Sequence, residues 1–218
     1  MIYRVGMAPR RPEVAVDEFR RRWAGELADG LSKVKGVEGY VQNFPILGAT
    51  GHALLGYPGF DGCAETTYES EELMAAAVAS SEFADLQVTE RKIVDLDRAG
   101  LLVGTERLAS GEEPPADAVK LITFVRCHPR YQPADLAEVL TNEDQGGGLA
   151  RHLILADPAA QQPPAPPACA DAVEIRYFES VPAATARLAS DDERDREFGR
   201  RGRAFGTVSV LALGSKVV

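Results

Sequence analysis

Residues 62–80 read GCAETTYESEELMAAAVAS, and residues 172–190 read AVEIRYFESVPAATARLAS. At an offset of 110 they share Glu69/Glu179, Ser70/Ser180, Ala76/Ala186, Ala79/Ala189 and Ser80/Ser190, with Tyr68 opposite Phe178. The flanks agree with the match. Arg98-Ala99 and Arg203-Ala204 each precede a β-rich run, Leu101–Leu108 and Thr207–Leu213. Each half also opens on a strand-like run closed by proline, Tyr3–Pro9 and Val119–Pro129. A long internal period decides the architecture before any single element does. A duplicated domain carries its own dimer partner, so function belongs to two related but unequal halves.

Two units near half of 218 residues suit ordinary domain sizes. Apolar content of 45% and charged content of 26% are those of a soluble globular protein. The net charge of −9 is shared: residues 1–109 hold 12 Lys+Arg and 17 Asp+Glu, residues 110–218 hold 12 and 16. No basic stripe is present, which disfavours nucleic acid as a partner. The Arg200-Arg201-Gly202-Arg203 cluster reads as cations at a helix C-terminus. Cys63, Cys127 and Cys169 are too few and too scattered for a disulfide framework or a paired metal motif, so no metal is expected. No apolar leader and no bilayer-length segment are read, and the expected compartment is the cytoplasm.

Ile2–Met7 reads as a strand ended by Pro9 and Pro12. From Asp17 to about Val34, Phe19, Trp23, Leu27 and Leu31 recur every four residues and make one apolar stripe on a helix. Gly36 ends it, and Val37–Phe44 follows as a strand. A Gly- and Pro-rich loop, Pro45–Phe60, leads to Cys63–Tyr68. Ser70 then caps a helix that runs through Ser80, and a further helical stretch reaches about Asp95. Leu101–Arg107 is the last strand. The order β-α-β-β-α-β is the split βαβ arrangement of ferredoxin-like domains.

Ala109–Ala118 reads as a linker. The second copy comprises a strand Val119–Cys127, a helix from about Pro133 to Asn142, a strand Leu149–Ala156, the strand Ala172–Glu179, a helix from near Pro182, and Thr207–Leu213. Gly146–Gly148 breaks the first of these helices, and Asp157–Cys169 is a proline-rich loop. Ser190 and Glu193 form a capping box. A sheet covered on one face by helices leaves its other face apolar. Burying two such faces together gives an α/β barrel, with linkage in one chain replacing subunit association. The expected fold is α+β: residues 1–108 and 119–218 as two fused ferredoxin-like βαββαβ halves, joined by 109–118 and closed into a pseudo-dimeric α/β barrel. This intramolecular pseudo-dimer leaves a further homodimer open.

The first half resembles the EthD family of the dimeric α/β-barrel superfamily. The matching residues are Asp17-Glu18-Phe19-Arg20-Arg21-Arg22-Trp23, then Gly36-Val37-Glu38-Gly39-Tyr40-Val41-Gln42-Asn43, then Asp61-Gly62-Cys63-Ala64-Glu65 continuing to Tyr68-Glu69-Ser70. The second half joins through its similarity to the first. The resemblance implies a small pocket between sheet and helices. It also implies a cofactor-independent isomerase, cyclase, decarboxylase or monooxygenase acting on an apolar or aromatic carbonyl or polyketide-like compound. Two departures stand out. The family's histidine four residues after the helix-one tryptophan is Leu27 here, and the reactive cysteine of one isomerase subgroup is Thr66.

His152 and Arg176 are the candidate catalytic residues. Histidine titrates near neutral pH, and a pocket arginine holds a carboxylate or an enolate. Arg176 otherwise lies at the seam between the sheets, paired with an acid such as Glu65. Cys127-His128 ends a strand and His152 lies within another, which would let His128 and His152 approach; without CxxC or HxxxH spacing they read as structural or surface groups. Trp23, Tyr40, Thr66, Tyr68 and Tyr177 are the candidate lining of a small-molecule pocket, while Phe19 reads as core. Glu26, one turn beyond Trp23, is a substitute base or a solvated residue. Against the enzyme stand a non-catalytic binding or structural protein and, more remotely, a haem-binding tandem barrel with His152 as its axial ligand.

Overall fold

The computed structural model describes residues 1–46, 59–115, 117–142, 148–161, 168–188 and 204–218. Four strands come from the first half: β1 (Ile2–Ala8), β2 (Gly39–Pro45), β3 (Gly62–Tyr68) and β4 (Gly100–Gly111). Four come from the second: β5 (Val119–Cys127), β6 (Ala150–Ala156), β7 (Ala172–Phe178) and β8 (Ala204–Lys216). They close into one barrel in the order β1-β3-β2-β8-β5-β7-β6-β4. Each half thus contributes its fourth, first, third and second strands side by side, the ferredoxin-like order. The second strand of each half bonds the fourth strand of the other, β2 to β8 and β6 to β4. The α+β reading of two fused halves in a pseudo-dimeric barrel holds.

Closure leaves no exposed sheet edge. At the β4–β6 seam Gly104 faces Ala156, and a Cβ on it would stand 2.0 Å from the Leu155 carbonyl oxygen. Only a residue without a side chain lets the two strands come this close. Inside, Val5, Leu102, Ile122, Phe124, Ile154 and Ile175 pack into one core to which both halves contribute.

The helices lie outside the barrel. The first runs as α1 (Val16–Arg22), a π-helical turn (Trp23–Leu27) and α2 (Ala28–Leu31). α3 (Glu71–Val78) and α4 (Ser81–Glu90) follow, capped by Ser70 and Ser80, whose hydroxyls accept from the Leu73 and Phe83 amides at 3.3 and 3.1 Å. α5 (Pro133–Asn142) and α6 (residues 181–188) cover the second half.

Three expectations need correction. The helix expected from Asp17 to Val34 is interrupted by the π turn. β4 continues to Gly111, into the segment read as linker, because Leu108–Gly111 pair with β6. β8 extends to Lys216 because its last residues bond β2, a partner in the other half. His52, Gly146 and Gly147, the Ser190/Glu193 cap, the Arg200–Arg203 cluster and residues 162–167 of the proline-rich loop lie outside the described residues. Among the described residues no helix is long and apolar enough to cross a membrane.

Candidate functional site

On the helix side of the first half a cleft of about 140 Å³ lies between the first helix and α4, with the sheet as its floor. The strands supply Arg4, Gly6, Tyr40, Ala64, Thr66 and Leu101, the first helix Trp23, Leu27 and Leu31, and α4 Phe83, Leu86, Gln87 and Glu90. Strand alternation sends Ala64, Thr66 and Tyr68 to the helix side and Cys63 and Glu65 into the barrel. A π turn carries one extra residue in its hydrogen-bonded ring and is frequent at functional sites. Here it sets Trp23 and Leu27 on the cleft. The Trp23 carbonyl accepts from the Gln42 side-chain amide at 2.6 Å, and the same amide donates to the Tyr40 hydroxyl oxygen at 2.8 Å. With that oxygen accepting, the Tyr40 O–H remains a donor. Burial raises the Tyr40 pKa far enough to keep it neutral, against a smaller lowering by Gln42.

The charged groups of the cleft are Arg4 and Glu90. The Arg4 guanidinium stands 5.2 Å from the Phe83 ring centroid in a cation–π contact. Burial pushes the Glu90 carboxyl above the usual carboxylate range, and Arg4 opposes that rise with a smaller effect. Thr66 donates its hydroxyl to the Arg4 carbonyl at 3.3 Å. Trp23 is 2% exposed, and its Nε1 has no hydrogen-bond partner, so this wall holds an unused donor. The arrangement is one acid, one cation, the neutral donors of Tyr40 and Trp23, the polar side chains of Thr66 and Gln87, and an apolar remainder.

Trp23, Tyr40 and Thr66 therefore meet at the cleft. Tyr68 is fully buried on the same face but packs in the core with Ile2, Tyr40 and Met74. Glu26 is exposed and held by two 3.0 Å bonds from Arg22, away from the base role considered for it. Leu27, in place of the family histidine, is 4% exposed and can only pack.

His152 and Arg176 do not form one site. His152 pairs across the sheet with Ile175, one residue before Arg176, so the two side chains leave opposite faces. His152 points into the barrel, its Nδ1 2.6 Å from Glu106 Oε1, which also accepts from the Tyr3 hydroxyl at 3.1 Å. Tyr177 meets the His152 ring edge-on at 5.6 Å, and Lys120 Nζ lies 5.2 Å from the same tyrosine ring. Lys120 bonds Glu65 at 2.8 Å, and Glu65 accepts from Asn43 at 2.6 Å. Tyr177 thus belongs to a polar network across the barrel interior rather than to the cleft. Arg176 faces the helices and donates to Glu174 at 2.9 Å; the seam pairing with Glu65 is not formed, because Glu65 is inside with Lys120. His128 follows the far end of β5, where its Nδ1 accepts from the Arg130 amide at 3.2 Å, away from Lys120 and the His152 network at the start of that strand.

A barrel of two ferredoxin-like halves, with a cleft between one sheet and its helices, defines a tandem α/β barrel. Residues 11–97 match the EthD domain, so the first half carries an EthD domain as its three motifs imply. No curated protein matches the sequence. Among solved structures, a provisionally assigned monooxygenase of Fusobacterium nucleatum has a TM-score of 0.61 at 10% identity, covering 99% of this chain and 93% of that one. A second provisionally assigned monooxygenase, from Lactobacillus acidophilus, has a TM-score of 0.55 at 10% identity over 100% and 94% of the two chains. A chlorite dismutase of Candidatus Nitrospira defluvii has a TM-score of 0.51 at 10% identity over 99% and 92%. At these identities the likeness is one of fold.

The residues described do not fit haem with His152 as axial ligand: that ring is held inside the barrel by Glu106, and neither His152 nor His128 lines the cleft. Among the described residues no group of three His, Cys, Asp or Glu side chains is placed to hold a metal ion. Arg4 and Glu90 escaped the sequence reading. A signal for Glu90 existed, since it stands seven residues after Phe83 and so continues the apolar stripe of α4.

Proposed function

We propose that the first-half cleft binds a small single-ring carbonyl compound, such as a lactone or an aromatic ketone, and moves a proton on it without a cofactor. The observation that carries the reading is Glu90 with its raised pKa sharing a cleft of about 140 Å³ with the Arg4 guanidinium. Size sets the substrate class, since an apolar cavity of roughly 150 Å³ takes benzene. A carboxylate whose pKa is lifted toward neutral pH is a stronger base once ionised and a usable acid when protonated. Ionised Glu90 removes a proton from the carbon next to the carbonyl. Arg4 and the Tyr40 hydroxyl stabilise the enolate oxygen, and Glu90 returns the proton at another carbon. Isomerisation follows from this pair of steps.

The experiment is proton exchange in D2O, followed by NMR, over a panel of monocyclic lactones and ketones. The expected result is deuterium uptake at the α carbon with the unaltered protein, its loss in Glu90→Gln, and a fall of ~10²-fold or more in Arg4→Met. No uptake on any compound that binds the protein would end the enzyme reading. It would leave the second reading, a non-catalytic binding protein, which Leu27 at the family's histidine position favours.

A further inference from the structure

β1 crosses the floor of the first-half cleft, and Gly6 within it presents no side chain there. A glycine inside a strand weakens it, because the chain loses more freedom on folding and nothing packs on the neighbours. The usual structural reasons for such a residue are absent. Among the described residues positive φ occurs at Gly36, Gly59 and Gly111, not at Gly6. No bulge interrupts β1 at this point, since Gly6 pairs with Ala64 of β3 and Leu101 of β4 in unbroken registers. Nothing presses on it either. A Cβ on Gly6 would find the Gly100 carbonyl oxygen at 3.8 Å and a Leu101 methyl at 4.0 Å, both ordinary contacts. On Gly39, Gly100 and Gly104 the same atom would stand 2.7, 2.6 and 2.0 Å from a neighbour, which accounts for those strand glycines. What Gly6 does face, half-buried, is the cleft.

A strand glycine also marks a place where a ligand comes close to the backbone. Gly6 and its cross-strand partner Ala64 leave a patch of floor on which no side chain rises beyond a Cβ. Leu27, Phe83 and Leu86 stand around it as apolar walls. We infer that Gly6 determines the specificity of the cleft: the ligand's ring lies face down on the β1 backbone at Gly6, which selects a planar ring over a puckered one. A flat ring brings all its atoms against such a floor, a chair only half of them, and dispersion adds up over those contacts. The ligand's oxygen then falls toward Arg4, which precedes Gly6 by two residues and so shares its face of the strand. The inference rests on the cleft being the ligand site, not on the proton transfer assigned to Glu90.

The test compares acetophenone with cyclohexyl methyl ketone, which carry the same acetyl group on a flat and on a puckered ring. Calorimetric titration of the unaltered protein, Gly6→Ala and Gly6→Val gives the affinities, and thermal unfolding gives the stability of each. The unaltered protein should bind acetophenone at least about fivefold more tightly than the saturated ketone. Gly6→Ala should weaken acetophenone about tenfold, since its methyl takes the ring's place, and should level the two ketones. Its thermal midpoint should nonetheless rise by roughly 1–4 °C, because the space is open and alanine restricts the unfolded chain. Gly6→Val should bind neither ketone; should it fail to fold, Gly6→Ala carries the test alone. Undiminished acetophenone binding by Gly6→Ala would overturn the assignment and leave the cleft as the ligand site. Equal affinity of the unaltered protein for the two ketones, or a lowered midpoint in Gly6→Ala, would overturn it as well. Binding of neither ketone by the unaltered protein would overturn the cleft reading and this one together. Selective binding of acetophenone without deuterium uptake would support the Gly6 assignment and end the proton-transfer reading alone.

Discussion

Lys120 of the second half and Glu65 of the first meet at 2.8 Å inside the barrel, with both side chains under a tenth exposed. The pair is a bolt between the halves, since β5 and β3 are not neighbours in the sheet. Asn43 fills a second position on the carboxylate, and Gly214 of β8 leaves room, its missing Cβ lying 3.0 Å from Lys120 Cε. Breaking one side of a buried pair strands the other charge, whereas removing both often costs little.

Lys120→Met should therefore destabilise the protein by about 3–5 kcal/mol. Lys120→Met combined with Glu65→Gln should recover most of that loss. Urea unfolding of the two single variants and the double variant measures the coupling. Additive losses would show that the charges do not sense each other.

Trp23 is the chain's one tryptophan and lines the cleft at 2% exposure. Its emission should be blue-shifted and poorly quenched by acrylamide in the folded protein. A single-ring ligand entering the cleft should change its intensity in a saturable way. Leu27→Trp narrows the same wall and should abolish that saturable change while the native emission of the fold persists.

Burial holds the Glu90 pKa above its unfolded value. The sign follows from linkage: on raising pH the unfolded chain ionises this carboxyl first, near the ordinary value of about 4.3. Whatever Glu90 contributes to stability is then fully present below that pH and is lost as pH rises through the folded value. Glu90→Gln has no such loss. Relative to the unaltered protein, the variant should gain stability between pH 4 and pH 7, read from urea midpoints at each pH; a constant difference would place Glu90 in water.

The barrel was legible because the repeat fixes its two-fold plan, and β-α-β-β-α-β leaves one apolar sheet face per half to bury. Other features were hidden for identifiable reasons. Every residue of β7 except Tyr177 is buried, so exposure gave no alternation from which to tell the face of Arg176 from that of Tyr177. The four-residue spacing of Phe19, Trp23, Leu27 and Leu31 did hold the π turn: at 3.6 residues per turn such a stripe drifts by about 40° each step. A wide turn brings it back toward the sheet. Arg4 was masked by its apolar strand, and its partner in the cleft arrives from α4, more than eighty residues away.

The β4–β6 seam offers the sharpest test of closure. Gly104 admits no side chain, because any Cβ would run into the Leu155 carbonyl oxygen, and the obstruction is backbone that cannot rotate away. Gly104→Ala should therefore force β4 off β6, costing about 3 kcal/mol at the upper end of ordinary overpacking. The β2–β8 seam is untouched by this change, so the halves remain joined along one side. The Glu106–His152 contact spans the broken seam and should be lost with it, while the Lys120–Glu65 pair remains. Hydrogen exchange resolves the two seams: faster exchange of β6 amides facing β4, with β8 amides facing β2 still protected, is the expected pattern. Equal acceleration at both seams would mean that the barrel opens as a unit and that Gly104 has no local role.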